Sequence, residues 1–198
     1  MKILAVQSRM GIGDTVIFLP FIKALSKKFN SPISILVKEN SKANQYLHQT
    51  KYIDKILTLE RDNKTNNRHG GFFGIFKLAN DLKKYKFDKI FIFNSSLRFN
   101  LVAKISGIPQ IYQYPLFAKN KQHIIEAPKK FLKKNLDLDI NEDPEVQIDT
   151  DLISKAAQKF QIDKNTTNIL LGIGGSGPTK RIPAKTFLSV IDKISNMK

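Results

Sequence analysis

Short apolar runs alternate along this chain with longer segments whose apolar residues recur every three or four positions. The short runs have the length of buried strands, and the longer segments have the period of amphipathic helices. Strands are predicted at residues 2–6, 33–37, 55–59, 88–93, 110–113 and 168–173, and helices at 15–29, 41–48, 72–84, 96–106, 123–135, 151–160 and 183–198. This alternation predicts an α/β fold with a doubly wound parallel sheet, in which ligands bind at the carboxyl ends of the strands.

The last predicted strand and helix follow a polar linker and begin a new strand–helix unit. We therefore predict one Rossmann-like domain over residues 1–163 and the beginning of a second Rossmann-like domain over residues 164–198. A single strand and helix cannot form a domain, so we expect this second half to be incomplete in the sequence.

The net charge of +16 suits either an anionic partner or a lysine-rich composition without a specific role. Only five of the 33 Lys and Arg residues are arginine, the side chain that most often reads base edges, so we expect no specific nucleic-acid binding. The absence of cysteine excludes disulfides and thiolate metal sites, and the three histidines show no metal-ligand spacing. The absence of cysteine also fits a cytoplasmic protein, and the first apolar run is too short for the core of a signal peptide, so we expect a protein in solution or at most at a membrane surface.

A glycine-rich segment, residues 172–183, follows the last predicted strand. Its first letters match the G-x-G-x-x-G dinucleotide fingerprint, but two prolines delay the helix that should follow at once. Glycines let backbone N–H groups approach an anion, while Ser176, Thr179 and Lys180 add hydroxyls and positive charge. The segment is therefore either a cradle for a diphosphate or a tight turn with solvated basic residues.

Asp14 lies at the predicted start of the first long helix, next to the carboxyl end of the first strand. An aspartate at this position is commonly a plain helix N-cap. The alternative is a general base, a carboxylate in a cleft that takes the proton of a sugar hydroxyl. The residues by themselves leave both interpretations open.

Phenylalanines and lysines stand side by side in the helix predicted at 72–84. Phe72, Phe73 and Phe76 with neighbouring lysines could lie on an anionic bilayer. The alternative interpretation, which we expect for the phenylalanines, is that they pack in the core beneath solvated lysines.

An ordered set of motifs extends along the chain: residues 2–6, GIGD at 11–14, 87–98, SGIP at 106–109 and GGSGPTKRIP at 174–183. In order and spacing this set resembles the family 9 glycosyltransferases, the ADP-heptose:lipopolysaccharide heptosyltransferases and their relatives. The sequence departs from the family pattern at Gln7, where a basic residue is common, and Arg9 is the nearest substitute. It departs again at Ile182, where tryptophan is usual.

The resemblance implies a GT-B-like fold with the active site in the cleft between two Rossmann-like domains. The first domain would bind a lipopolysaccharide core acceptor, and the second would bind a nucleotide sugar of the ADP-heptose type. Transfer would be inverting, without a metal or other cofactor, and Asp14 would be the catalytic base. The donor phosphates would be bound by Gly174, Gly175, Ser176, Thr179 and Lys180, and the acceptor by Arg9, Gly13, Ser96 and Arg98.

Two hypotheses of function follow from these observations. The first is a heptosyltransferase-like enzyme in the cytoplasm, with peripheral contact to the inner membrane. The alternative is a non-catalytic basic protein, or a relict fragment, that associates with anionic lipid or nucleic acid. Steeply salt-dependent binding to an anionic polymer, without sugar-nucleotide chemistry, would favour the alternative.

Overall fold

A computed structural model describes residues 1–8, 11–61, 67–116, 123–174 and 181–196. The chain divides into two compact units, Met1–Asp149 and Thr150–Lys198. The domain boundary predicted between residues 163 and 164 refers to a complete two-domain protein and stays a prediction.

The first unit is built on a sheet of five strands that are all parallel to their neighbours. The strands are β1 Ile3–Gln7, β2 Ile33–Lys38, β3 Ile53–Leu59, β4 Lys89–Ile92 and β5 Gln110–Gln113. Their order across the sheet is β3-β2-β1-β4-β5, so the winding reverses between β1 and β4. The predicted α/β fold with a doubly wound parallel sheet is confirmed.

Helices cover both faces of this sheet because successive strand residues point to opposite sides. The helices of the first unit are α1 Ile12–Phe29, α2 Ala43–Tyr46, α3 Phe73–Lys83, α4 Leu97–Ile105 and α5 Glu126–Leu136. In β1, Ile3 and Ala5 join the core formed with α1 and α5, while Leu4 and Val6 join the core formed with α3 and α4. All four side chains are buried, as a central parallel strand requires.

The phenylalanines at the start of α3 contradict the expectation that they pack in the core. Phe72, Phe73 and Phe76 are 69%, 76% and 48% exposed. The contact of α3 with the sheet is made by other residues, spaced three and four apart: Ile75, Leu78, Ala79 and Leu82. These aliphatic side chains already fill the stripe that faces the sheet, and Phe73 and Phe76 lie outside it on the helical wheel.

The second unit contains α6 Thr150–Lys159 and α7 Ala184–Ser195. None of its described residues is buried. The strand predicted at 168–173 does not form there: these residues pair with no other strand, and Leu170 is 97% exposed. A strand of a parallel sheet needs a hydrogen-bonded neighbour, and this unit supplies none among its described residues.

None of the helices in the described part of the chain combines the length and apolarity that a membrane span requires.

Candidate functional site

The carboxyl ends of β1 and β4 form a crevice at the point where the strand order reverses. Ser8 directly follows β1, and Asn94 lies two residues beyond β4. The Asn94 Nδ2 atom donates a hydrogen bond of 2.7 Å to Ser8 Oγ, which joins the two strand ends across the crevice. In doubly wound sheets this position is the usual ligand site.

A polar network continues from Asn94 to the neighbouring strand. The Ser96 backbone N–H donates to Asn94 Oδ1 at 2.6 Å. The Gln113 Nε2 atom, at the end of β5, donates to the carbonyl oxygens of Asn94 and Ser96, each at 2.9 Å. The Asn100 side chain donates to Gln113 Oε1 at 2.9 Å. Three strand ends and the start of α4 are therefore fixed to one another at a single edge.

Helix α1 begins beside this crevice, and its N-cap is a glycine whose backbone conformation other residues rarely adopt. Gly11 has a φ of 106°, which side chains rarely adopt, and its carbonyl accepts a 3.1 Å hydrogen bond from Thr15 Oγ1. The buried Gln7 side chain at the end of β1 donates to the carbonyl oxygen of Asp14 at 3.2 Å. This contact fixes the first turn of α1 to the strand. The neutral Gln7, which stands where relatives commonly have a basic residue, therefore contacts the protein's own backbone.

Asp14 lies in this first turn and is half-buried. Its side chain makes no hydrogen bond and no ion pair with another residue in the part of the chain that the structure describes. It is not the N-cap of α1, because that position belongs to Gly11. A half-buried carboxylate with open acceptor positions at the ligand-binding edge is suited to accept a proton from a bound hydroxyl.

Ser96 and Arg98 are brought to the same edge, where both make contacts within the fold. Ser96 is the N-cap of α4, and its Oγ accepts a 3.3 Å hydrogen bond from the Arg98 backbone N–H. The Arg98 guanidinium donates to the carbonyl oxygens of Gly71, at 2.7 Å, and of His69. Arg98 therefore holds the end of the segment that leads into α3.

The other end of that segment is held by His69, whose role had no signal in the sequence. His69 is buried, its Nδ1 accepts from the Glu60 N–H, and its Nε2 lies 3.1 Å from Asp81 Oδ2. Burial by itself raises the pKa of Asp81, but the hydrogen bond from His69 and the charges of Arg68 and Lys84 outweigh burial and hold that pKa below its usual range. The contacts of His69 with the Glu60 backbone join residues 60 and 69, and the contact of His69 with Asp81 joins them to α3.

A cavity of about 810 Å³ opens beside the end of β5. Its lining combines the rings of Tyr114 and Phe131 with one acidic residue, Glu126, and three basic ones, His123, Lys130 and Lys134. It adjoins Gln113, the residue that fixes Asn94 and Ser96. A cavity of this size with basic groups at its wall suits an anionic glycan or phosphate.

The predicted site residues are distributed between the two units. The structure brings Gly13, Asp14, Ser96 and Arg98 to the carboxyl edge of the first unit's sheet, and Gly13 is exposed there. Gly174 belongs to the second unit and is exposed. The remaining predicted residues lie outside the described residues: Arg9, Gly175, Ser176, Thr179 and Lys180.

Groups of three or more His, Cys, Asp or Glu side chains that could hold a metal ion are absent among the described residues.

No protein-family model and no curated protein matches this sequence. Solved structures do match its fold. A family 9 glycosyltransferase from Veillonella parvula aligns with a TM-score of 0.76 at 19% identity, over 99% of this chain and 60% of that one. The chain has part of the GT-B-like fold of that glycosyltransferase, built on one Rossmann-like parallel sheet.

Two structures from E. coli agree with this assignment of the GT-B-like fold. The ADP-heptose lipopolysaccharide heptosyltransferase II aligns with a TM-score of 0.63 at 18% identity, over 98% of this chain and 62% of that one. The heptosyltransferase WaaC, solved with ADP-2-deoxy-2-fluoro heptose, aligns with a TM-score of 0.58 at 13% identity, over 99% of this chain and 66% of that one. The chain thus spans less than two thirds of the length of each of these GT-B-like proteins.

Proposed function

We propose that this chain forms the acceptor side of a sugar-nucleotide-dependent glycosyltransferase of the heptosyltransferase type. The observation that carries the proposal is the position of Asp14. It is a half-buried carboxylate whose side chain has no hydrogen-bond partner among the described residues, in the first turn of α1 beside the crevice between β1 and β4. The crevice belongs to a fold that this chain has in common with solved family 9 glycosyltransferases.

In the proposed reaction, the Asp14 carboxylate removes the proton from an acceptor hydroxyl as that oxygen attacks the anomeric carbon of the donor sugar. A new glycosidic C–O bond forms on one face of the sugar, and the bond to the nucleoside diphosphate breaks on the other. The configuration at the anomeric carbon is therefore inverted. Proton removal by a positioned carboxylate accelerates such a step by about 10²- to 10⁴-fold.

The donor would be a nucleotide sugar of the ADP-heptose type, bound by the second domain. Its diphosphate would be held by the backbone of Gly174 and Gly175 and by the side chains of Ser176, Thr179 and Lys180. The ammonium group of Lys180 would stabilise the charge of the departing diphosphate, so that no metal is required for this step. The ADP and ADP-heptose-analogue complexes of WaaC support this donor class.

The acceptor would be a lipopolysaccharide core or a related glycan, bound by the first domain. Gly13 leaves open space above the first turn of α1, since a Cβ atom placed there would have no described atom within 4 Å beyond its chain neighbours and the backbone of its own helix. Arg9 would contact acceptor phosphate, while Ser96 and Arg98 would shape the edge that the acceptor meets. We propose a cytoplasmic enzyme that works in peripheral contact with the inner membrane.

The test is transfer from an ADP-heptose donor to a lipopolysaccharide core acceptor, measured with the two-domain protein that the proposal requires. We expect Asp14→Asn to reduce the rate by about 10²-fold or more while the melting temperature is unchanged. Asp151→Asn is the matched control, because Asp151 also lies in the first turn of a helix, α6.

Two outcomes would contradict the proposal. Unchanged transfer by Asp14→Asn would remove the assigned base but leave the transferase. A parent protein that transfers no sugar, and that binds an anionic polymer with steep salt dependence, would favour the non-catalytic alternative.

A further inference from the structure

The first observation is an aromatic cluster on the outside of the first unit. The exposed rings of Phe72, Phe73 and Phe76 contact one another edge to face, with centroids 6.0 Å apart for Phe72–Phe73 and 5.6 Å for Phe72–Phe76. Isolated exposed apolar residues are common on protein surfaces, but a contiguous exposed group of large ones marks an interaction site. The cluster requires a partner that can bury three rings.

The cluster is held on a rigid base. Gly74, directly beside it, is buried against the His69 backbone, where a side chain would overlap main-chain atoms. The Arg98 guanidinium donates to the Gly71 carbonyl at 2.7 Å and so fixes the residue before Phe72. The rings are therefore presented at the start of an ordered helix.

Helix α4 extends the apolar surface. It packs beside α3 on the same face of the sheet, and both helices contribute to one core. Its outward positions are Leu97, Leu101 and Ile105, four residues apart and all exposed. Together, the outward side chains of α3 (including Phe72) and of α4 are called the α3–α4 face.

The charge of the α3–α4 face has one sign. Its exposed charged groups are lysines, namely Lys77, Lys83, Lys84 and Lys104. The one acidic residue of the two helices, Asp81, is engaged with His69, Arg68 and Lys84. The rings at the start of α3 are followed along the two helices by lysines, with Asp81 as the sole and engaged carboxylate, and this composition matches protein surfaces that lie in the interface of an anionic bilayer.

We propose that the α3–α4 face docks on the surface of an anionic phospholipid bilayer. The phenylalanine rings enter the region between head groups and acyl chains, and the lysine ammonium groups contact lipid phosphates. A second copy of this chain is a poorer partner, because a symmetric pair through this face would bring together two surfaces of the same charge. The proposal names the surface that would serve the membrane location proposed above, but does not depend on the transfer chemistry.

Docking in this way has a consequence for the candidate site. Helices α3 and α4 both begin at the carboxyl edge of the sheet, the edge that carries Asp14 and Ser96. The aromatic cluster at the start of α3 therefore lies at the same end of the unit as the site. An acceptor anchored in the bilayer would meet the site without leaving the lipid surface.

The test is co-sedimentation of the 198-residue chain with vesicles of phosphatidylcholine, with and without phosphatidylglycerol. We expect binding to the anionic vesicles that weakens with salt, and at least about tenfold weaker binding for the triple variant Phe72→Ser, Phe73→Ser and Phe76→Ser. Because these rings are outside the core, thermal unfolding should be unchanged. The matched control is Phe160→Ser, a phenylalanine that is 68% exposed in the second unit, and it should bind as the parent does.

A second pair of variants tests whether the lysines of the α3–α4 face contribute to vesicle binding. We expect Lys77→Glu with Lys83→Glu to weaken binding to anionic vesicles more than Lys155→Glu with Lys159→Glu, which changes the net charge equally on α6. Asp14→Asn should bind vesicles like the parent, so a failure of the transferase proposal would not disturb this result.

Three results would overturn the docking proposal. The first is no binding of the parent to anionic vesicles, and the second is equal binding by the triple phenylalanine variant. The third is a parent dimer in sedimentation analysis that the triple variant converts to a monomer, without vesicle binding, which would assign the face to a second copy.

Discussion

The two units of this chain contain helices of similar amphipathic pattern and differ in what lies beneath those helices. In the first unit, α3 places Ile75, Leu78, Ala79 and Leu82 on a sheet, and all four are buried. In the second unit, the corresponding apolar stripe of α7 is Phe187, Val190, Ile191 and Ile194, and none of these residues is buried. The apolar stripe of a helix can pack in a core, but it is buried only where a sheet surface lies against it.

The largest expected effect of this difference is on hydrogen exchange. Backbone amides of β1 and β4 lie in the centre of a buried sheet, so they should exchange only through global unfolding. Amides of α7 should exchange through local opening, at least about a thousandfold faster relative to their intrinsic rates. The measurement is amide exchange of the whole chain followed by mass spectrometry of peptides.

Slow exchange throughout α7 would contradict this expectation. It would mean that the second unit gains burial from contacts that its exposed side chains do not indicate.

A matched pair of substitutions sharpens the comparison at the level of single side chains. Leu4→Ala removes a side chain with no exposed surface and should lower the free energy of unfolding by about 2–5 kcal/mol. Leu188→Ala, at a residue that is 61% exposed, should change it by no more than about 0.5 kcal/mol. Urea denaturation of both proteins measures the difference.

The two leucines lose the same atoms, so unequal effects must come from their surroundings. Equal destabilisation by both substitutions would contradict the conclusion that the two units differ in the burial of their apolar side chains.

A smaller effect is expected at Asp81, with a defined pH dependence. Its folded-state pKa lies below the unfolded value, because the hydrogen bond from His69 and the charges of Arg68 and Lys84 outweigh burial. The resulting stabilisation is therefore fully present above the unfolded pKa of about 3.9 and is lost as the pH falls through the lower folded pKa. Asp81→Asn should cost about 1 kcal/mol at neutral pH and less as the solution becomes acidic.

Asp192→Asn in α7 is the control for this titration, since Asp192 belongs to the second unit. Unfolding midpoints measured between neutral and acidic pH should converge for Asp81→Asn and the parent. A difference that grows on acidification would contradict the assigned sign.

Periodicity was sufficient to predict the elements of the first unit. The strand at 110–113 agrees with β5 in both bounds, and the helix at 96–106 agrees with α4 to within one residue. Helix α1 begins three residues earlier than predicted, because Gly11 supplies the positive φ from which the helix starts. The parallel winding followed from the alternation itself, since each crossover contains a helix.

Three kinds of feature could not be predicted in this way. The apolar arc of α3 is wide enough to include either Phe72 and Phe76 or Leu78, and the local pattern does not decide which part of that arc faces the sheet. The missing strand at 168–173 depends on a pairing neighbour. The contacts of Asn94 with Ser8 and of His69 with Asp81 join residues on different elements, so no spacing along the chain indicates them.

The Ser8–Asn94 hydrogen bond has a consequence for how the protein is made. It joins residues 86 positions apart, just beyond the ends of the two strands that flank the crevice. During synthesis from the amino terminus, β1 can pair with β2, and β2 with β3, long before β4 exists, so one edge of the central strand stays unpaired for that time. The site is therefore among the last parts of the first unit to assemble, and its interval of exposure is set by the rate of translation.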